Sequence, residues 1–181
     1  MKGRGEFTIM QPARYCFEIM TSSEGEQKPR EAMKRFARVF IARSGSRAIA
    51  VGMHLNENDM WFEDETPAVL NEPFTAEELG NAVAEAMGKT DRRARNARDT
   101  KLADWPAYKA SGERSVRKFE ESFIGVSVEG ANAANLVAVI TGNPEKDAVL
   151  QVTSTISTGI VPAELGERVL QVYEACRDRR L

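Results

Sequence analysis

FIGVSVEGANAANLVAVITGNPEKDAVLQVTSTI, residues 123–156, is the stretch whose reading decides the fold. Three strand-like runs, FIGVSV (123–128), NLVAVIT (135–141) and VLQVTSTI (149–156), are separated by EGANAA and by the turn-rich GNPEKDA. This spacing predicts an antiparallel meander. LVAVI is apolar at every position, the pattern of a central strand buried on both faces. Just downstream a helix is predicted from Pro162, a favoured first-turn residue, with Leu165, Val169, Val172 and Cys176 on one face.

Upstream, TAEELGNAVAEAMG (75–88) reads as a second helix. Thr75 can cap it, Glu78 closes a capping box three residues on, Leu79, Val83 and Met87 form an apolar stripe, and Gly88 is placed as the C-terminal stop. RVFIAR (38–43) and RAIAVGMHL (47–55) flank SGS, which predicts a hairpin whose second arm turns Ile49, Val51, Met53 and Leu55 to the core, opposite Ala48, Ala50 and Gly52. Nearer the N-terminus, RYCFEIM (14–20) alternates with the period of a half-buried strand. The fold class that follows is α+β, a mostly antiparallel sheet with helices.

EELGNAV (77–83) recurs as AELGERV (163–169), repeating Glu78, Leu79, Gly80 and Val83 after 86 residues. A glycine early in a helix costs about 1 kcal/mol relative to alanine, so two in equivalent places point to close backbone packing, read here as helix on sheet. The chain is taken as a single domain, 1–181. Its alternative is a duplicated β-rich unit, each half closed by a helix, with halves 1–88 and 101–181 joined by a basic connector, 89–100.

Composition sets the broad class. The 181 residues are 42% hydrophobic and 29% charged, close to soluble globular averages. A net charge of −2 argues against a general phosphate-binding surface. No signal-like h-region and no run of eighteen apolar residues is present, so a cytoplasmic chain without membrane association is expected. Cys16 and Cys176 read as reduced thiols, neither a disulfide framework nor a zinc site.

Phosphate-loop, dinucleotide and nucleophile-elbow motifs are absent, and neither a cofactor nor a metal is expected. The single histidine, His54, lies beside carboxylates and is a candidate general base, or a structural histidine. Charge order is more informative. Nine acids and no Lys or Arg lie between Arg47 and Lys89, whereas residues 89–118 hold ten Lys or Arg against four acids. Either the two blocks steer charged partners, or they pair with each other. Glu57, Asp59, Glu63, Asp64 and Glu65 surround Trp61, and an aromatic anchor within a carboxylate rim suits a basic partner. Charge reversal at Glu63, Asp64 and Glu65 is expected to weaken binding and leave the fold intact. The basic arm lacks interleaved aromatics, so direct nucleic-acid binding is not expected.

DWPAYKASGERSVRKFE (104–120) contains Trp105, Tyr108, Lys109, Ser111, Ser115, Phe119 and Glu120. This W-x-x-Y-K-x-S pattern, followed by S-x-x-x-F-E, the meander and the ELG helices, resembles bacterial immunity proteins of contact-dependent growth-inhibition systems over residues 66–180. The resemblance implies a cytosolic, non-enzymatic α+β protein that binds and blocks the C-terminal toxin domain of a cognate effector, commonly a nuclease. A phosphate-mimicking carboxylate surface at 57–65 would then face the basic nuclease site. In that reading 104–120 is scaffold: Trp105 and Phe119 bury, Pro106 fixes a turn, and Ser111 or Ser115 caps a short helix. The opposing reading makes Lys109 a base beside Ser111. Rivals to the immunity reading are an effector-binding secretion chaperone and a small enzyme using His54.

Overall fold

The computed structural model describes residues 33–95, 105–144, 151–159 and 161–178. The strand expected at 14–20, Cys16 and the part of the connector from 96 to 100 lie outside the described residues. The elements are β1 (Phe36–Ala42), β2 (Arg47–Leu55), β3 (Trp61–Glu63), β4 (Ala68–Asn71), α1 (Ala76–Gly88), α2 (Pro106–Ser111), α3 (Val116–Ser122), β5 (Phe123–Gly130), β6 (Val137–Gly142), β7 (Val152–Ser157) and α4 (Pro162–Asp178). The class is α+β, with seven strands in one open antiparallel sheet.

The strand order is β3-β2-β1-β5-β6-β7, and β4 shares the outer edge of β2 with β3. The β1–β2 hairpin turns at Gly45, whose φ of 80° suits a residue without Cβ. β1 then pairs with β5, Val39 opposite Val126, so residues from both parts of the chain share one sheet. The meander β5-β6-β7 runs as the sequence predicts.

α1 and α4 cover one face of the sheet. The main core lies there, formed by Ala37, Val39, Ile41, Ala48 and Ala50 from the hairpin, Val126, Val128 and Ile140 from the meander, and Leu79, Val83, Val169 and Val172 from the helices. The hairpin forms as expected, but the face assigned to its second arm is corrected. The small residues Ala48 and Ala50 face the main helix layer, because α1 approaches so closely that a Cβ on Gly52 would press on the Ala86 carbonyl. Ile49 and Val51 turn to the other face, where α2 and α3 enclose a smaller core with Phe119 and Phe123.

Among the described elements that second cover is partial. Along β6, Ala138 and Ile140 are buried beneath the helices while Val137 is 41% exposed, so LVAVI is buried on one face only. Antiparallel sheets tolerate one wet face, as here.

The recurring glycines meet at the crossing of α1 and α4. A Cβ on Gly80 would collide with the Pro162 carbonyl, and one on Gly166 with the Ala76 carbonyl. Backbone does approach backbone, but helix on helix. The Thr75–Glu78 capping box is formed, with Glu78 N donating to Thr75 Oγ1 at 3.1 Å and Thr75 N to the Glu78 carboxylate at 2.7 Å. Gly88 is the last helical residue, and Lys89 closes the helix in ordinary right-handed geometry. Tyr173, on the buried side of α4, donates its hydroxyl to the Ala42 carbonyl at 2.7 Å. Among the described residues no helix is long and apolar enough to cross a membrane.

Candidate functional site

The uncovered part of the second face holds a cleft of about 220 Å³ lined by Arg38, Met53, Met60, Trp61, Phe62, Glu63, Arg95, Trp105 and Pro106, among others. β3, a three-residue edge strand, supplies Trp61, Phe62 and Glu63; the start of α2 supplies Trp105 and Pro106. Trp61 is 38% and Met60 44% exposed at the mouth. Trp61 meets Phe36 edge to face at 5.0 Å between centroids, which orients the indole without covering it.

Glu63 joins the two walls. It is buried, and its Oε2 accepts from Ala107 N at 2.8 Å. α2 has no side-chain cap of its own, since Trp105 occupies the N-cap position, and Glu63 does that work from the strand. Burial pushes the Glu63 carboxyl above the usual carboxylate range, with the Ala107 N–H and the charge of Arg38 opposing the shift.

Asp64 is buried beside it in a different network. Its Oδ2 lies 2.9 Å from Nε2 of the fully buried His54, and its Oδ1 accepts from Thr66 N at 3.0 Å and Thr66 Oγ1 at 2.6 Å. Burial alone would raise its pKa, but the hydrogen bonds from Thr66 and His54 prevail and hold it at about 2. Arg93 and Lys89 approach the same carboxylate at 3.4 and 3.9 Å. Among the described residues His54 Nδ1 has no hydrogen-bond partner, and Phe62 packs beside the ring at 5.4 Å. His54 is 0% exposed, so no substrate reaches it without opening the fold.

The acidic segment is thus divided. Glu57, Asp59, Trp61 and Glu65 are exposed; Glu63 and Asp64 are interior, so charge reversal at those two would strike the fold itself. The two charge blocks pair with each other: Arg92 meets Asp59 at 3.0 Å, and Arg93 and Lys89 reach Asp64. Leu55 N donates to the Asp91 carbonyl and Arg93 N to the Leu55 carbonyl, so residues 91–93 are laid along the end of β2. Alternating blocks in the sequence were the available signal for this pairing.

In the 104–120 stretch, Phe119 is buried and stacks with Phe40 and Phe123 at 5.0 and 5.1 Å, while Tyr108 lies 6.0 Å away. Ser115 caps α3, accepting from Lys118 N at 3.2 Å. Ser111 is held by backbone, donating to the Tyr108 carbonyl at 2.6 Å and accepting from Glu113 N at 3.1 Å. Lys109 is exposed. Pro106 begins α2 instead of fixing a turn, and Trp105 is half-buried at the cleft instead of in the core. Sequence reasoning missed Arg38 and Arg95, whose guanidinium carbons lie 5.9 Å from the centroid of Phe36 and 4.7 Å from that of Phe62. Among the described residues no group of three or more His, Cys, Asp or Glu is placed to hold a metal ion.

Comparison with solved structures finds this fold elsewhere. A protein of unknown function from Neisseria meningitidis superposes with a TM-score of 0.61 at 14% identity, over 83% of this chain and 99% of that one. A chain from the CdiA-CT/CdiI toxin and immunity complex of Yersinia pseudotuberculosis superposes with a TM-score of 0.56 at 8% identity, over 79% and 97%. No family model and no curated protein sequence matches the chain.

Proposed function

We propose that this chain is an immunity protein, which binds the toxin domain of a cognate contact-dependent growth-inhibition effector in the cytoplasm and neutralises it without chemistry of its own, the toxin being a nuclease. The observation that carries the proposal is the likeness of the fold to a chain of a toxin and immunity complex. It agrees with what the Trp105–Glu120 stretch implies. The Trp61 cleft supports a binding role, since a half-exposed indole beside a methionine is costly surface for a chain with no partner. The buried His54 and the backbone-bound Ser111 favour binding over catalysis.

In this reading Glu57, Asp59, Trp61 and Glu65 surround the contact from outside, and Glu63 and Asp64 shape it from beneath. The test is co-expression with the toxin domain encoded beside this gene, followed by purification and a nuclease assay. A stable complex with cleavage abolished is the expected result. No complex and unaltered cleavage would overturn the proposal; growth arrest on expressing this chain alone would instead make it the toxic member of such a pair.

A further inference from the structure

We infer that the Trp61–Trp105 cleft seats an acidic, apolar segment of the partner, a carboxylate next to an aromatic or large aliphatic side chain, with the carboxylate held by Arg38 and Arg95. This rests on the binding role proposed above and gives it a chemistry that the acidic composition of 57–65 does not suggest.

Charge complementarity points to an acidic occupant. Arg92 and Arg93 are matched by Asp59 and Asp64. Arg38 and Arg95 line the cleft, Arg38 over the ring of Phe36 behind it and Arg95 over Phe62 in the wall, and among the described residues neither forms an ion pair with a carboxylate. The one carboxyl in the wall, Glu63, is turned inward to Ala107 N, and of the two guanidinium groups only Arg38 acts on its charge. The cleft therefore presents two guanidinium groups beside aromatic rings, with Glu63 the one carboxyl among its lining residues. Guanidinium groups bind carboxylates through paired N–H donors, and the floor accepts the apolar neighbour.

Size selects the occupant. About 220 Å³ is below the roughly 300–1,000 Å³ typical of small-molecule sites and suits one or two inserted side chains. An adjoining depression of about 280 Å³ shares Arg38 and Trp105 and is lined further along by Phe40, Arg43 and Glu120. A nucleoside monophosphate offers the same anion and is the rival occupant that titration must exclude.

The two tryptophans of the chain are both in this wall, so its intrinsic fluorescence reports the cleft alone. The experiment titrates the full-length protein with the adjacent-gene toxin domain, reading affinity by calorimetry and acrylamide quenching of tryptophan emission with a tryptophan-free toxin variant. Wild type is expected to bind with its indoles shielded, and Arg38→Glu/Arg95→Glu to lose about thirtyfold or more in affinity. Arg38→Lys/Arg95→Lys should lose less, and circular dichroism of both variants should match wild type. A tight complex whose tryptophans stay as quenchable as in the free protein, or undiminished affinity of the Glu variant, overturns this inference and leaves the immunity reading standing. Shielding produced by free nucleoside monophosphate, with no effect of the toxin, overturns the peptide assignment. No complex with wild type at all overturns both.

Discussion

Glu63 and Asp64 are neighbours in sequence with opposite electrostatics. Asp64 ionises at about 2 in the folded chain, below its ordinary 3.8, so its contribution to stability is complete above pH 4 and is lost as pH falls from there through 2. Glu63 is raised above 4.5, so the folded state is penalised as pH rises from 4.5 through its folded value. Glu63→Gln keeps an acceptor for Ala107 N and removes the charge; it should raise the melting temperature at pH 7 and make no difference at pH 3.5. Glu63→Ala leaves that N–H unpaired and should cost about 1–2 kcal/mol by urea denaturation at neutral pH. Asp64→Asn should lose on the order of 1–2 kcal/mol at pH 7, with the loss shrinking towards pH 2 in acid melts. None of this was legible in the string MWFEDE, because alternation along an edge strand does not say which carboxylate meets a helix amide and which a histidine.

At the scale of elements, the α1–α4 crossing makes the sharpest claim. Glycine to alanine inside a helix ordinarily stabilises by about 1 kcal/mol. Gly80→Ala and Gly166→Ala should each destabilise instead, by roughly 1–3 kcal/mol, because the new methyl meets carbonyl backbone with no flexible end to yield. Paired, they should cost less than their sum in thermal melts, since the first already parts the helices. The ELG echo exposed this need for contact while hiding its partner. Elements set by neighbouring residues were readable: the Thr75 capping box, the Gly45 turn, the meander. What depended on distant residues was not. The face taken by Ile49 and Val51 follows from how closely α1 sits, and the exposure of Val137 from where α2 and α3 stop, neither of which is written nearby. The cleft was half readable, through Trp61, while Arg38 and Trp105 join it only through the sheet.

For the molecule as a whole, the main core is assembled from both ends of the described chain. β1 pairs with β5 at a separation of 87 positions, Val39 to Val126, and α4 closes the same core with Val169, Val172, Tyr173 and Cys176. Removal of residues 162–181 should therefore abolish the cooperative unfolding transition altogether, instead of yielding a trimmed but folded protein; near-ultraviolet circular dichroism checks this. The same arrangement sets a clock on synthesis. At roughly 5–20 residues per second the interval from the end of β1 at Ala42 to the start of α4 at Pro162 takes about 6–24 seconds to make. Central strand β1, made early, waits that long for the helix that closes its core. If the chain is the immunity protein proposed above, a nascent copy that has not yet made α4 lacks a completed core, and protection would depend on molecules finished before the toxin arrives.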